Sequence, residues 1–316
     1  MTPCGATPEE QNAASGADPL HDHREYDVIV VDALARIVVS AHLDGWRADR
    51  PVVALIHELQ SVAGPGKDTQ QERSYEQPLL RADALITVSG YGAGILRSRG
   101  VPAERIRVVH PGSDAHEPGV ETSTTRDASG PRVLCVAQWI PRKGILELAR
   151  AWGMIRSEGA VLEFIGETDA DPDYSARVRE TIGDDASVVI SGPVGDDEVR
   201  SAYGRADVFA LPSRYEGYGV VYAEALRFGL PIVACDVGPV PELVGTEAAL
   251  LVPPRDPASL AEALERVIGD PTLRARMSGA ARRRAAGLPR RRDTVEGFHE
   301  VLQETVRAGS TGGIRS

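Results

Sequence analysis

Cysteine is scarce in this chain: Cys4, Cys135 and Cys235 are the only three among 316 residues. None stands at Cys-x-x-Cys or metal-ligand spacing, which excludes a disulfide scaffold, a zinc ribbon and a thioredoxin-like redox motif. Cys135 and Cys235 lie inside apolar runs and read as buried structural thiols of a reducing, cytoplasmic protein. Long apolar runs are missing too. No window approaches the roughly 18 residues of a membrane-spanning helix, and residues 1–20 have neither the basic start nor the apolar core of a signal peptide. An excess of positive charge is also absent: the formal net charge is −11, which speaks against broad nucleic-acid binding. An anionic small ligand stays admissible, because a local site can be positive on an acidic protein. The one basic stretch, Leu273 to Arg292, has two readings: a solvated face of C-terminal helices, and peripheral contact with the acidic inner surface of a membrane.

What is present is alternation. Residues 1–25 are polar and rich in turn formers, and a disordered tail is expected there. From Tyr26 the runs DVIVV, PVVALIH, ALITVS and RIRVVH alternate with helix-like segments. They are too continuous for a sheet with one wet face and fit parallel strands buried on both faces. Residues 116–131 are polar, carry Pro, Gly, Ser and Thr, and read as a linker. The alternation then restarts with VLCVAQ, VLEFIG, SVVISG, DVFALP, PIVACD and ALLVP. The expected fold class is α/β, with two Rossmann-like, doubly wound parallel-sheet domains facing a cleft. Their expected extents are 26–115 and 132–290. A final helix over 291–308 is expected to cross back on the first domain, and 309–316 to be a second disordered tail. Ligands of such sheets bind at the carboxyl ends of the strands.

The segment from Leu211 to Ala234, LPSRYEGYGVVYAEALRFGLPIVA, carries most of the chemistry. A strand ends at Leu211–Pro212, a loop with Gly217 and Gly219 follows, and a helix-like run stops at Gly229. The glycines let backbone approach a ligand closely. The helix start near Gly219–Val220 offers free N–H groups and a partial positive charge, which suits a diphosphate. Glu216 precedes that start, and Glu224 lies about one turn inside it. Helical side chains lean toward the N-terminus, so Glu224 can reach the same ligand, and a carboxylate suits a vicinal diol.

The stretch EGYGVVYAE, Glu216 to Glu224, resembles the Glu-(seven residues)-Glu motif of glycosyltransferase family 4, retaining enzymes of the GT-B fold. VVHPGSD, VAQWIPRKG, GPVGDDEVRSAYGRADVFALPS and ACDVGPVPELV extend the likeness over Asp27 to Val306. The resemblance implies a sugar transferred from a nucleotide-diphosphate sugar to an acceptor. It implies that Glu216 contacts the donor sugar, that the backbone of Tyr218, Gly219 and Val220 holds its phosphates, and that Glu224 holds the ribose. Arg142 and Lys143 fall where the family places cations for the diphosphate, and such cations offset charge on the leaving group. Val194 would contact the nucleobase, and His57 would lie near the transferred sugar. Gln138 stands beside Ala137 where the family often has Gly-Arg, which bears on phosphate geometry. No metal-ligand set is seen, so no cofactor or metal is expected. Family members usually begin with a further strand, glycine-rich turn and long helix, so a shortened, incomplete first lobe is expected, covered by a partner chain, by homo-oligomerisation or by the C-terminal helix.

Other classes fit less well. No Gly-x-Gly-x-x-Gly follows the first strand of either lobe, against a dinucleotide oxidoreductase. Asp32 at a strand end suggests a receiver domain, but no acidic pair precedes it. Epimerases or phosphorylases of the same architecture do not predict the Glu216–Glu224 segment. A non-catalytic GT-B remnant that binds nucleotide sugar or a partner remains the alternative.

Overall fold

In the computed structural model the apolar runs become, among the described residues, ten parallel strands in two separate sheets. The structure describes residues 23–63, 69–114, 130–155 and 159–311. Its contacts fall into two units, Met1–Gly112 with Pro289–Ser316, and Ser113–Leu288.

The first unit contains β1 (Ile29–Asp32), β2 (Val52–Ile56), β3 (Ala84–Thr87) and β4 (Ile106–Val108), in the order β1-β2-β3-β4. Each strand is laid beside the one before, so the sheet winds one way and, among the described residues, has no reversal. With right-handed crossovers, one-way winding puts the connecting helices on one face. There Leu43 and Trp46 of α1 (Leu43–Asp49), Leu79 of α2 (Thr69–Leu80) and Leu96 of α3 (Gly90–Ser98) share a core with Val52, Ala54, Ile56 and Leu85. The other face presents Val53, Ala84 and Ile86. The C-terminal helix Arg291–Thr311 covers it, burying Val301 with Phe298 and Leu302 packed alongside.

The first unit differs from the sequence expectation in three respects. A doubly wound sheet is expected, and the described strands wind one way because each is laid beside the one before. The runs predict strands buried on both faces, yet Val30 on β1 is 47% exposed between buried Ile29 and Val31. The C-terminal helix packs mainly on β2 and β3. The described ends of the two expected tails are also helical. His23–Glu25 form a 3-10 turn, with His23 Nε2 2.9 Å and Arg24 Nε 3.0 Å from the Asp49 carboxylate, and helix continues through 309–311. The rest of the expected tails, and most of the expected linker, lie outside the described residues.

The second unit contains β5 (Arg132–Val136), β6 (Val161–Ile165), β7 (Val188–Gly192), β8 (Val208–Leu211), β9 (Ile232–Cys235) and β10 (Ala249–Val252). The order is β10-β9-β8-β5-β6-β7. The chain moves outward from β5 to β7, returns to the other side of β5 as β8, and moves outward again. The winding therefore reverses between β5 and β8. Helices α4 (Ile145–Trp152), α5 (Pro172–Ile182), α6 (Asp196–Arg205), α7 (Val220–Arg227), α8 (Pro257–Gly269) and α9 (Pro271–Ala285) flank this sheet.

Three of these helices start on the same dipeptide. Asp171-Pro172, Asp256-Pro257 and Asp270-Pro271 each place a carboxylate that accepts a first-turn N–H and a proline at the first helical position. Such caps are worth roughly 1 kcal/mol each. The arginines of α9 are partly structural: Arg274 donates to the carbonyls of Val267 and Ile268, and Arg284 to those of Leu243 and Glu242. Cys135 and Cys235 are buried, and burial pushes the Cys235 thiol up to about 12. Among the described residues no helix is long and apolar enough to cross a membrane.

Candidate active site

Because β5 and β8 are neighbours, the loops that follow them, residues 137–144 and 212–219, leave the sheet side by side at the winding reversal. This is where open α/β sheets form their ligand crevice. The two loops are bound to each other. The Arg214 N–H donates to the Arg142 carbonyl at 2.8 Å, and Arg142 Nη1 donates to the Tyr215 carbonyl at 3.2 Å. Gly144, at φ +70°, backs directly onto the Pro212 carbonyl. Behind the first loop Trp139 is fully buried, edge-on to Phe164 and capped by Arg179, 5.3 Å from its ring centre.

The loops bring together three of the residues singled out in the sequence. Glu216 is 5% exposed. Its Oε1 accepts from Lys143 Nζ and from Ser213 Oγ, each at 2.7 Å, while Arg142 Nη1 stands 4.0 Å from Oε2. Among the described residues Oε2 accepts no hydrogen bond, so it keeps acceptor capacity for a ligand. Two cations against one carboxylate leave the trio one positive charge in excess, inside an acidic protein. Beside it, Arg214 is ion-paired to the buried Glu147 of α4. Ser213, Arg214 and Glu147 were not singled out in the sequence. Ser213 was legible, three residues before Glu216, whereas the partner of Arg214 is 67 residues away.

The helix start follows directly. Gly219 caps α7 at φ +96° and ψ 54°. Its carbonyl accepts from Tyr222 and Ala223, so the N–H groups of Val220 and Val221 stand outside the helix ladder. Val220 is exposed, Tyr218 is buried, and the buried Tyr222 hydroxyl donates to the Leu211 carbonyl at 2.8 Å, pinning the helix to the end of β8. Glu224, half-buried, has Oε2 3.1 Å from the Tyr203 hydroxyl. Burial raises its pKa, the Tyr203 hydrogen bond draws it down, and Asp196 at the start of α6 pushes it up again. Val194 is half-buried in the loop leading to Asp196, and Gln138 is exposed.

His57 belongs to the first unit. It follows β2 directly, and its Nε2 lies 2.9 Å from Asp32 Oδ2 at the end of the neighbouring strand. The other Asp32 oxygen accepts from the Leu34 N–H at 2.8 Å, which fixes the carboxylate. Both side chains are about 40% exposed, 42% and 39% respectively. Among the described residues no group of three or more His, Cys, Asp or Glu is arranged to hold a metal ion.

Comparison with known proteins adds a lineage. The profile described as "Glycosyltransferase Family 4" matches residues 14–117, and that described as "Glycosyl transferases group 1" matches residues 130–270. The D-inositol 3-phosphate glycosyltransferase of Saccharomonospora viridis is 30% identical over 293 residues, 84% of this chain and 68% of that protein. The MMP alpha-(1->4)-mannosyltransferase of Mycolicibacterium hassiacum is 32% identical over 206 residues, 64% of this chain and 49% of that protein, so the likeness spans about half of that relative's length. Among solved structures, sucrose-phosphate synthase of Thermosynechococcus elongatus superposes with a TM-score of 0.76 at 26% identity, over 90% of this chain and 75% of that one. The architecture is that of the GT-B fold.

Proposed function

Because the chain belongs to glycosyltransferase family 4, we propose that it transfers a sugar, with retention at the anomeric carbon, from a nucleotide-diphosphate sugar to a hydroxyl acceptor. The observation that carries this reading is the Lys143–Glu216 pair beside the Gly219 helix start at the winding reversal. The diphosphate lies against the N–H groups of Val220 and Val221. Glu216 Oε2 accepts from a hydroxyl of the donor sugar. Glu224 takes the ribose, and Val194 borders the base. As the bond to the anomeric carbon breaks, charge grows on the departing diphosphate, where Arg142, Lys143 and the helix start stabilise it. The buried, unpaired thiols support a reducing, cytoplasmic setting.

Titration with a panel of nucleoside diphosphates and nucleotide sugars tests the donor assignment. Glu216→Gln should leave nucleoside-diphosphate affinity nearly unchanged, or tighten it by releasing Lys143. It should weaken the sugar nucleotide roughly tenfold. Equal losses for both ligands would contradict the sugar contact. Turnover can first be sought with D-inositol 3-phosphate, the acceptor in the name of the Saccharomonospora relative.

The charge stabilisation proposed for the leaving group comes from side chains and backbone, so no metal enters the reading. Transfer should therefore continue in excess chelator. Activity that disappears with chelator and returns with magnesium or manganese would overturn that part of the proposal.

A further inference from the structure

Tyr203 is placed more tightly than packing alone requires. It is 2% exposed on α6, with its ring stacked against Phe209 at 5.8 Å and Phe228 at 5.2 Å. A phenylalanine would fill that slot. A tyrosine brings a hydroxyl that needs a partner once buried, and here it has two: Glu224 Oε2 at 3.1 Å and the Val221 carbonyl at 3.2 Å. One hydroxyl carries one proton and cannot donate to both. When Glu224 is ionised, the charge-assisted bond to the carboxylate is the stronger. When Glu224 is protonated, its own proton can go to the Tyr203 oxygen while Tyr203 donates to Val221. The hydroxyl thus matches either state of the carboxyl and holds it in one place.

We propose that Tyr203 is the positioning residue for Glu224: it engages Oε2 from behind and leaves Oε1 to the vicinal diol of the bound nucleotide. The proposal rests on the reading of Glu224 as the ribose contact. Among the described residues, the side chains that shift Glu224 are Tyr203 and Asp196, both on α6. Burial and Asp196 favour the neutral acid, and the Tyr203 hydroxyl favours the carboxylate. The ionised form is the better acceptor for two hydroxyls, so nucleotide affinity is present above the Glu224 pKa and lost as pH falls through it. Removing the Tyr203 hydroxyl raises that pKa further, and the loss then begins at higher pH.

The test is calorimetric titration with UDP or GDP, whichever binds the wild type more tightly, and with its 2′,3′-dideoxy analogue, from mildly acidic to neutral pH. Tyr203→Phe should weaken the ribonucleotide about tenfold, leave the dideoxy analogue nearly unchanged, and move the acid limb of affinity to higher pH. A 3-fluorotyrosine at position 203 keeps the packing and donates a stronger hydrogen bond, so it should move the acid limb to lower pH. Glu224→Ala should abolish the preference for the ribonucleotide. If Glu224→Ala binds both ligands as the wild type does, the ribose reading fails and the proposal fails with it. If Glu224→Ala loses the preference while Tyr203→Phe and the fluorotyrosine form keep wild-type affinity and pH profile, Tyr203 only packs, and the proposal alone is overturned.

Discussion

Gly144→Ala should lower the first melting transition by roughly 6–12 °C and remove nucleotide binding with it. Two costs coincide at this residue. Its φ of +70° lies in the left-handed region, where a side chain costs about 1–2 kcal/mol. A β-carbon there would also collide with the Pro212 carbonyl oxygen, which is backbone and cannot swing away. Relief requires the two loops to part, and together these costs come to about 3 kcal/mol. Parting the loops also breaks the Arg214–Arg142 backbone bond and moves Lys143 off Glu216, so stability and binding should fall together. Gly100→Ala separates the two costs. Gly100 has φ +83° and nothing within 4 Å of the added carbon, so only the backbone penalty of about 1 kcal/mol applies. A Gly144→Ala protein that melts and binds like the Gly100→Ala protein would mean that the loop contact does not hold the site.

That contact marks the limit of what the sequence makes legible. Strands are readable because each apolar run is a local signal, and α7 is readable because Gly219 and Gly229 bound it. Glu216 and Glu224 are readable for the same reason, lying within one turn of a recognisable helix start. The pairing of Lys143 with Glu216 is not, because it joins residues 73 apart. It depends on β8 returning to the side of β5, and strand order is a property of the whole sheet. The Tyr203–Glu224 bond spans 21 residues and needs the packing of α6 on α7. Asp32 reads as an isolated strand-end acid until the β1–β2 register sets its strand end beside His57. Val30 is exposed between buried Ile29 and Val31, and nothing in the DVIVV run encodes that. Local chemistry was therefore visible, and contacts set by topology were not.

The largest loss of turnover is expected from Lys143→Met. Methionine keeps most of the aliphatic stem and deletes the ammonium that, on the proposed reading, meets charge on the departing diphosphate. Removing such a group typically lowers the rate constant about 10²–10³-fold. The same change leaves Glu216, 5% exposed, with only Ser213 on Oε1 and Arg142 at 4.0 Å. A buried carboxylate that loses its partner costs about 3 kcal/mol or more, so the variant should also be less stable, and lost activity could reflect a damaged fold. The double variant Lys143→Met/Glu216→Gln separates the two effects. It removes the stranded charge, and its melting temperature should return toward wild type. Its turnover, compared with Glu216→Gln alone at saturating donor, should stay down by the full hundredfold or more. Lys143→Arg should fall between, because its charge remains but a planar fork replaces a compact ammonium. If turnover in the double variant recovers in step with stability, Lys143 serves only as the counter-ion of Glu216, and leaving-group stabilisation must rest on Arg142 and the helix start.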